Sequence, residues 1–193
     1  MNPAWTVGKV RERGELDQIL ALQHANLAVN VSAEEASAQS FVTAVHSLET
    51  LQRMHELAPS IVARAETQLA GYALTMRVEA RAHVPILEPM FELLETLAFH
   101  GHPLRDTRYY VMGQVCVARA FRGQGVFDAL YRGHREHYQE RFELLVTEVS
   151  TRNGRSLRAH ARVGFEPLYR YRDSVDEWVI LGWDWANAAE KRA

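Results

Sequence analysis

The stretch that decides the fold is Arg-Gly-Gln-Gly-Val-Phe at residues 122–127. It follows an apolar run at residues 109–117, which predicts a buried strand, and it precedes residues 128–140, which predict a helix. A glycine turn between a strand and a helix gathers backbone N–H groups at the positive end of the helix dipole, where they can bind a phosphate. Glycine suits both turn positions because it adopts left-handed φ angles without a Cβ clash. The stretch therefore predicts a phosphate site.

Two well-known phosphate motifs do not match this turn. A P-loop continues with Lys and Ser or Thr after its second glycine, whereas Val126 and Phe127 follow Gly125 here. A dinucleotide fingerprint has a third glycine where this chain has Asp128. Taken alone, the turn is compatible with either a phosphate site or an ordinary connection.

A second segment adds to the first. Residues 144–149 predict a strand, and residues 155–162 predict a helix that ends at Gly164 before a new strand begins at Phe165. Asn153 stands before this helix, eleven residues ahead of the Gly-Phe pair.

The two segments together resemble the GNAT superfamily of acyl-CoA-dependent N-acyltransferases. The superfamily turn, Arg/Gln-x-x-Gly-x-Gly/Ala, is similar to residues 120–125, although Ala120 replaces its first residue. The superfamily asparagine looks like Asn153. The resemblance is strongest over residues 109–185 and extends to the whole chain. It implies the acyl-CoA N-acyltransferase fold, an α/β (α+β) architecture with a mixed, mostly antiparallel central sheet of about seven strands flanked by helices.

The resemblance also implies a cofactor, acetyl-CoA or a related acyl-CoA, and a set of residues that bind it. Its pantetheine arm would pair with the motif strand at Val115, Cys116 and Val117, and Asn153 would hold that arm or a local water. Ser156 is a further residue expected to bind the cofactor. Its diphosphate would rest on the turn and helix start, formed by Arg122, Gly123, Gln124, Gly125, Val126 and Phe127.

Two residues are candidates for catalysis. Many superfamily members have a tyrosine seven residues after the asparagine that protonates the leaving thiolate, and this chain has His160 there. An imidazole can do the same because it titrates near neutrality, while simple helix packing is the alternative. Glu148, at the end of its strand, is the candidate base, and an ordinary structural carboxylate is the alternative.

The expected reaction is transfer of an acetyl (acyl) group to a primary amine by direct attack in a ternary complex. No covalent enzyme intermediate is required, since holding both reactants in line supplies much of the rate. The other hypothesis is a non-catalytic GNAT-like module that binds acyl-CoA or regulates another protein.

Composition limits the other classes. The 193 residues, 47% of them hydrophobic, suit one domain spanning residues 1–193 with a full core. The net charge of −2 argues against nucleic-acid binding. Residues 1–107 include 8 basic and 13 acidic residues, which gives a net charge of −5. Residues 108–193 include 14 basic and 11 acidic residues, which gives a net charge of +3. The phosphate turn lies in the positive half, whereas the acidic half would suit a cationic small-molecule or peptide amine as the acceptor.

The remaining features concern location and partners. The single cysteine, Cys116, excludes an internal disulfide framework and suits a reducing compartment. The N-terminus lacks the pattern of a signal peptide, and no run approaches the ~20 apolar residues of a membrane span, so we expect a cytoplasmic protein. His100 and His102 lack a third ligand, and no metal site is expected. The resemblance implies a homodimer, since dimers are common in the superfamily.

The rest of the chain predicts the order strand, helices, hairpin, insert and two final strands. The insert spans residues 79–108 and is either a lid that sets specificity or a segment that covers a sheet face or contacts a second subunit. The predicted elements outside the motifs are a strand at 5–10, helices at 14–27 and 47–57, a helix start at 32–35, a hairpin of 61–65 with 69–78, a helix at 90–99, and strands at 166–172 and 177–185.

Overall fold

A computed structural model describes residues 5–27 and 45–186, so the predicted helix start at 32–35 lies outside the described residues. The main element is a seven-stranded sheet in the order β1-β2-β3-β6-β7-β9-β8. All neighbours pair antiparallel except β6 and β7, which are parallel. The strands are β1 (Thr6–Lys9), β2 (Ile61–Ala65), β3 (Gln68–Met76), β6 (Tyr109–Val117), β7 (Leu144–Ser150), β8 (Glu166–Arg172) and β9 (Glu177–Asp184), with a separate hairpin of β4 (Ala98–Phe99) and β5 (His102–Pro103).

Helices cover both faces of the sheet. They are α1 (Arg13–Ala25), α2 (Leu48–Leu57), α3 (Glu88–Thr96), α4 (Val126–Tyr138) and α5 (Gly154–Val163). Apolar side chains of α1, α2 and α3 belong to one buried cluster, so we call that side of the sheet the α1 face. Side chains of α4 and α5 pack with a second cluster on the α4 face. The predicted fold class, a mostly antiparallel sheet flanked by helices, is confirmed.

Helix α4 is held close to the sheet. Gly133 faces β1 and β2, where an added Cβ would lie 2.7 Å from Val7 Cγ1 and 2.9 Å from Ile61 Cγ2. Fully buried Leu130 and Tyr131 extend the same apolar stripe. This packing fixes the N-terminus of α4 beside the end of β6.

A bulge in β6 creates a gap in the sheet. Along β3, the register shifts from Ala73↔Val115 to Thr75↔Met112, so β6 has one extra residue at 113–114. Such a bulge bends its strand. On the other side, β6 pairs with β7 only from Tyr109↔Leu144 to Val111↔Val146. Beyond that point the two parallel strands diverge, and residues 113–117 have an edge that is not paired with β7.

The insert packs on the α1 face. It contains two 3₁₀ turns (Val78–His83 and Pro85–Leu87), α3, the β4–β5 hairpin and a third 3₁₀ turn (Leu104–Asp106). Its helix begins and ends earlier than the predicted 90–99, because Pro89 fits the first helical turn and Ala98–Phe99 form β4. Phe91, Leu94 and Leu104 are fully buried, so the insert forms part of the core.

Candidate functional site at the divergence of β6 and β7

The turn between β6 and α4 presents main-chain amides. Gly123 and Gly125 have φ angles of +76° and +79°, the left-handed region that glycine adopts most readily. Gly125 is the N-cap of α4, and no side chain within the described residues caps the helix. The first bond of the helix runs from the Ala129 N–H to the Gly125 carbonyl over 3.1 Å. The N–H groups just before Ala129 therefore have no acceptor within the helix, and N–H groups at the positive end of a helix can bind an anion.

Side chains of the turn hold its backbone in place. Arg122 donates from Nε to the Val117 carbonyl (3.2 Å) and from Nη2 to Asn26 Oδ1 (2.6 Å). Gln124 Nε2 donates to the Ala120 carbonyl over 2.9 Å. The Arg122 N–H itself donates to the Arg119 carbonyl. The groups available to bind an anion are thus the main-chain amides that follow Arg122. The side chains of Arg122 and Gln124 hold this backbone in place.

The unpaired part of β6 contains the three predicted pantetheine residues. Val115 and Val117 pack against the cluster of the α4 face, whereas Cys116 belongs to the cluster of the α1 face. Burial raises the pKa of the Cys116 thiol to about 12, so it is a neutral packing group. Among the described residues, no strand pairs with 115–117 on the β7 side, and a backbone edge of this kind can pair with an extended, amide-bearing chain as if with another strand.

Asn153 and Ser156 shape the start of α5. Asn153 is the N-cap, and its Oδ1 accepts the Ser156 N–H over 3.0 Å. Helix α5 ends where predicted, at Gly164, whose φ is +116°. Because β7 ends at Ser150, this cap places the first turn of α5 next to the wide end of the gap.

His160 lies in an aromatic cluster on the α4 face, only 1% exposed. Its Nδ1 donates to the Ser156 carbonyl over 2.8 Å, and its Nε2 lies 2.6 Å from the Tyr131 hydroxyl. The rings of Phe127 and Phe165 meet it edge-on. Burial lowers the pKa of His160 to about 4, so the imidazole is neutral at pH 7 and accepts the Tyr131 proton. This arrangement does not favour the proton-donor role expected from the sequence.

Glu148 lies on the opposite, α1 face. The Tyr171 hydroxyl donates to its Oε2 over 2.6 Å. Burial raises the pKa of Glu148, while the Tyr171 hydrogen bond lowers it and the nearby charge of Asp173 raises it further. A carboxyl group with a raised pKa is a stronger proton acceptor than an ordinary glutamate. Its position and chemistry suit the base predicted from the sequence.

A cavity of about 80 Å³ adjoins Glu148. Its walls come from the insert, from both diverging strands and from β9; the lining residues are Leu87, Met90, Val111, Met112, Gly113, Thr147, Glu148 and Trp178. Glu148 is the one charged member of this set. As lined by residues 5–27 and 45–186, the cavity is therefore a mostly apolar space with a single carboxylate, located where β6 and β7 separate.

A wider polar cleft of about 350 Å³ lies around the β8–β9 turn. Arg152 and Asp176, two of its lining residues, form an ion pair with Nη2 and Oδ2 2.7 Å apart. Trp178 connects the two spaces, since it lines the inner cavity and its indole N–H donates to Asp173 Oδ2 in the outer cleft (3.0 Å).

Several residues of this region escaped the sequence analysis. Tyr171 and Trp178 pair across β8 and β9 and so reach the neighbourhood of Glu148 together. On the same face, Gln114 Oε1 accepts both the Tyr72 hydroxyl (2.5 Å) and Gln23 Nε2 (3.2 Å). These contacts join segments that are far apart in the sequence, so no local sequence pattern predicts them. A signal did exist for the bulge, because a glycine inside a strand pattern, Gly113, is typical of one.

No group of three or more His, Cys, Asp or Glu side chains suited to a metal ion occurs within residues 5–27 and 45–186. Within the same part of the chain, none of the helices has the length and apolar character that a membrane span requires.

Comparisons with solved structures identify the fold. The ribosomal-protein-S18-alanine N-acetyltransferase of Escherichia coli matches with a TM-score of 0.63 and 14% identity, covering 93% of each chain. YncA of Salmonella typhimurium, solved with its cofactor acetyl-CoA, matches with a TM-score of 0.58 and 16% identity over 94% of each chain. A GNAT-family protein of Desulfovibrio desulfuricans matches with a TM-score of 0.60 and 15% identity, and the match covers 94% of this chain and 99% of that protein.

These structures share the acyl-CoA N-acyltransferase fold, and the chain described here has that fold. The resemblance to the GNAT superfamily seen in the two motifs is thus confirmed at the level of the fold. A scan of protein-family models gave no match. A search of curated proteins likewise gave none.

Proposed function

We propose that the protein is an N-acetyltransferase that moves an acetyl group from acetyl-CoA to a primary amine, by direct attack in a ternary complex. The observation that supports the proposal is the start of α4, which no described side chain caps, next to the divergence of β6 and β7. An amide-rich anion site and an unpaired strand edge are the two features that a long, diphosphate-containing thioester needs. The YncA structure contains acetyl-CoA in the same fold.

The chain would hold the cofactor through its backbone. The amides from Gly123 to Phe127 bind the diphosphate, and the free edge of residues 115–117 pairs with the pantetheine arm. Asn153 and Ser156 keep the first turn of α5 in place beside that arm. When bound, acetyl-CoA supplies an activated acetyl thioester. A backbone N–H of β6 polarises the thioester carbonyl, because a donor fixed in advance stabilises the developing oxyanion.

Glu148 acts as the base in this proposal. An alkylamine is protonated in neutral solution, since its pKa is about 10, and it must lose a proton before it can attack. Glu148 accepts that proton in the cavity, and Tyr171 orients the carboxylate through its hydrogen bond. The neutral amine nitrogen then bonds to the acetyl carbon and loses its second proton to water, and the carbon–sulfur bond breaks.

His160 enters the proposal as a structural residue. Its two ring nitrogens hold the Ser156 carbonyl and the Tyr131 hydroxyl, which ties α5 to α4. A thiol has a pKa of about 8.5, so the thiolate departs readily and can take its proton from water. Residues 123–127, 115–117 and Glu148 therefore suffice for the reaction.

Two measurements test the proposal. Titration calorimetry should show acetyl-CoA binding, and a thiol reagent should detect free CoA when amines, polyamines, amino acids, antibiotics and peptides are added in turn. Peptides belong in the panel because the Escherichia coli neighbour is named for an alanine of ribosomal protein S18. Binding without thiol release from any amine would favour the non-catalytic acyl-CoA module. The absence of binding would refute both functions.

The cytoplasmic location and the homodimer stay predictions. Light scattering coupled to gel filtration measures the molar mass directly, and a mass near 22 kDa, that of one chain, would refute the dimer.

A further inference from the structure

The cavity beside Glu148 is partly built by the insert. Leu87, at the end of a 3₁₀ turn, and Met90, in the first turn of α3, line the space together with Glu148 and Trp178. Met90 is 2% exposed and Leu87 is half-buried. The insert therefore supplies the wall that an amine beside Glu148 would meet.

This wall is firmly attached to the rest of the protein. Phe91 and Leu94, on the same helix as Met90, are fully buried in the cluster of the α1 face. Arg81 forms ion pairs with Glu88 at the start of α3 and with Glu95 near its end, and its guanidinium lies 5.6 Å from the Phe91 ring centre. The ion pairs of Arg81 connect parts of the insert, and the buried apolar side of α3 holds the insert on the sheet, so that the helix does not swing away to admit a longer ligand.

The size of the cavity limits what it can hold. An apolar cavity of about 150 Å³ holds benzene, a six-carbon ring. By that scale, about 80 Å³ accommodates about three carbon atoms. A second cation in this space would lie against Leu87 and Met90 and would lose its hydration, and among the described lining residues it would find no carboxylate besides Glu148.

We propose that the insert is the specificity element of the enzyme, and that Leu87 and Met90 restrict the acceptor to a primary amine with a short, uncharged alkyl group of about three carbons next to the nitrogen. This inference rests on the proposed function and goes beyond it, since it assigns the substrate class and the residues that select it. The alkyl group fills the cavity and places its nitrogen at Glu148.

The test uses straight-chain amines from ethylamine to hexylamine as probes. For the native protein, kcat/KM measured by CoA thiol release should rise about fourfold for each methylene that the cavity buries, and reach its maximum at propylamine. It should fall at least about tenfold by pentylamine, because a chain that does not fit forces the wall to move. In Met90→Ala, which removes three side-chain heavy atoms, the maximum should shift to pentylamine or hexylamine.

Leu94→Ala is the matched control. It also truncates a buried side chain of α3, but Leu94 does not line the cavity. It should lower the stability and keep the native chain-length profile. If Met90→Ala does not fold, Leu87→Ala tests the same wall at a half-buried position and should shift the maximum by one or two carbons.

The two proposals fail in different ways. A folded, active Met90→Ala with the native profile would overturn the role of the insert and leave the acetyltransferase intact. If no amine releases CoA thiol, the proposed function fails, and saturation-transfer NMR with propylammonium and pentylammonium chloride still tests the cavity. A preference for the shorter cation that reverses in Met90→Ala would support the size limit, and an unchanged preference would refute it.

Discussion

Replacing Gly123 by alanine should separate cofactor binding from folding. An added Cβ at Gly123 has no heavy atom within 4 Å, so the substitution causes no steric clash. Its cost comes from the φ angle of +76°, which an L-residue adopts at a cost of about 1–2 kcal/mol. For a chain of this length, that loss lowers Tm by about 2–8 °C.

The effect on acetyl-CoA is expected to be larger. The turn can relieve its strain by rotating to a negative φ, and then one or two amides no longer point to the diphosphate. Each hydrogen bond to a charged group contributes about 1.5–3 kcal/mol. Calorimetry should therefore show acetyl-CoA binding weakened by about tenfold to a hundredfold for each amide lost.

Gly101→Ala is the matched control for this experiment. Gly101 also has a positive φ, +83°, and open space around its Cβ position, but it lies in the β4–β5 turn. Its neighbour His100 pairs with Asp184, at the end of the sheet where β7 begins. Both variants should lose similar stability, and only Gly123→Ala should lose affinity. Native affinity in a destabilised Gly123→Ala would show that the amides of this turn do not bind the cofactor.

Three other predictions concern titratable groups. Glu148→Gln should lower kcat/KM for the amine by about 10²–10⁴ with unchanged acetyl-CoA affinity, and activity within threefold of native would remove Glu148 as the base. Tyr171→Phe removes a hydrogen bond that lowers the pKa of Glu148, so the acid limb of the pH–rate profile should move to higher pH, and an unmoved limb would contradict the pairing. Burial lowers the pKa of His134 to about 3 and that of His160 to about 4. As the pH falls below about 6.5, these two histidines therefore gain protons in the unfolded chain but not in the folded protein. The free energy of unfolding should then fall by about 1.4 kcal/mol per pH unit for each histidine. Urea melts at pH 5 and 7 should show that the free energy of unfolding of His160→Phe depends less on pH than that of the native protein. A hundredfold loss of turnover in the same variant at pH 8 would restore the proton-donor role of His160.

Much of the fold could be predicted from the sequence because its signals are local. The two glycines of the turn, the Asn153 cap and the Gly164 stop each act within a few residues of backbone, and each takes the conformation that its residue type favours. Apolar periodicity likewise predicted α1, α2 and the β2–β3 hairpin within a few residues. Two motifs in the right order were then sufficient to predict the sheet architecture.

The tertiary structure decided what the sequence left open. Glu148 became a half-buried carboxylate only because Tyr171 and the insert pack around it. His160 became a neutral core residue because the hydroxyl of Tyr131, 29 positions away in the sequence, lies 2.6 Å from its Nε2. A pKa and a cavity depend on which atoms exclude water, and those atoms come from segments far apart in the chain. Local pattern determined the backbone of the site, and long-range packing determined its chemistry.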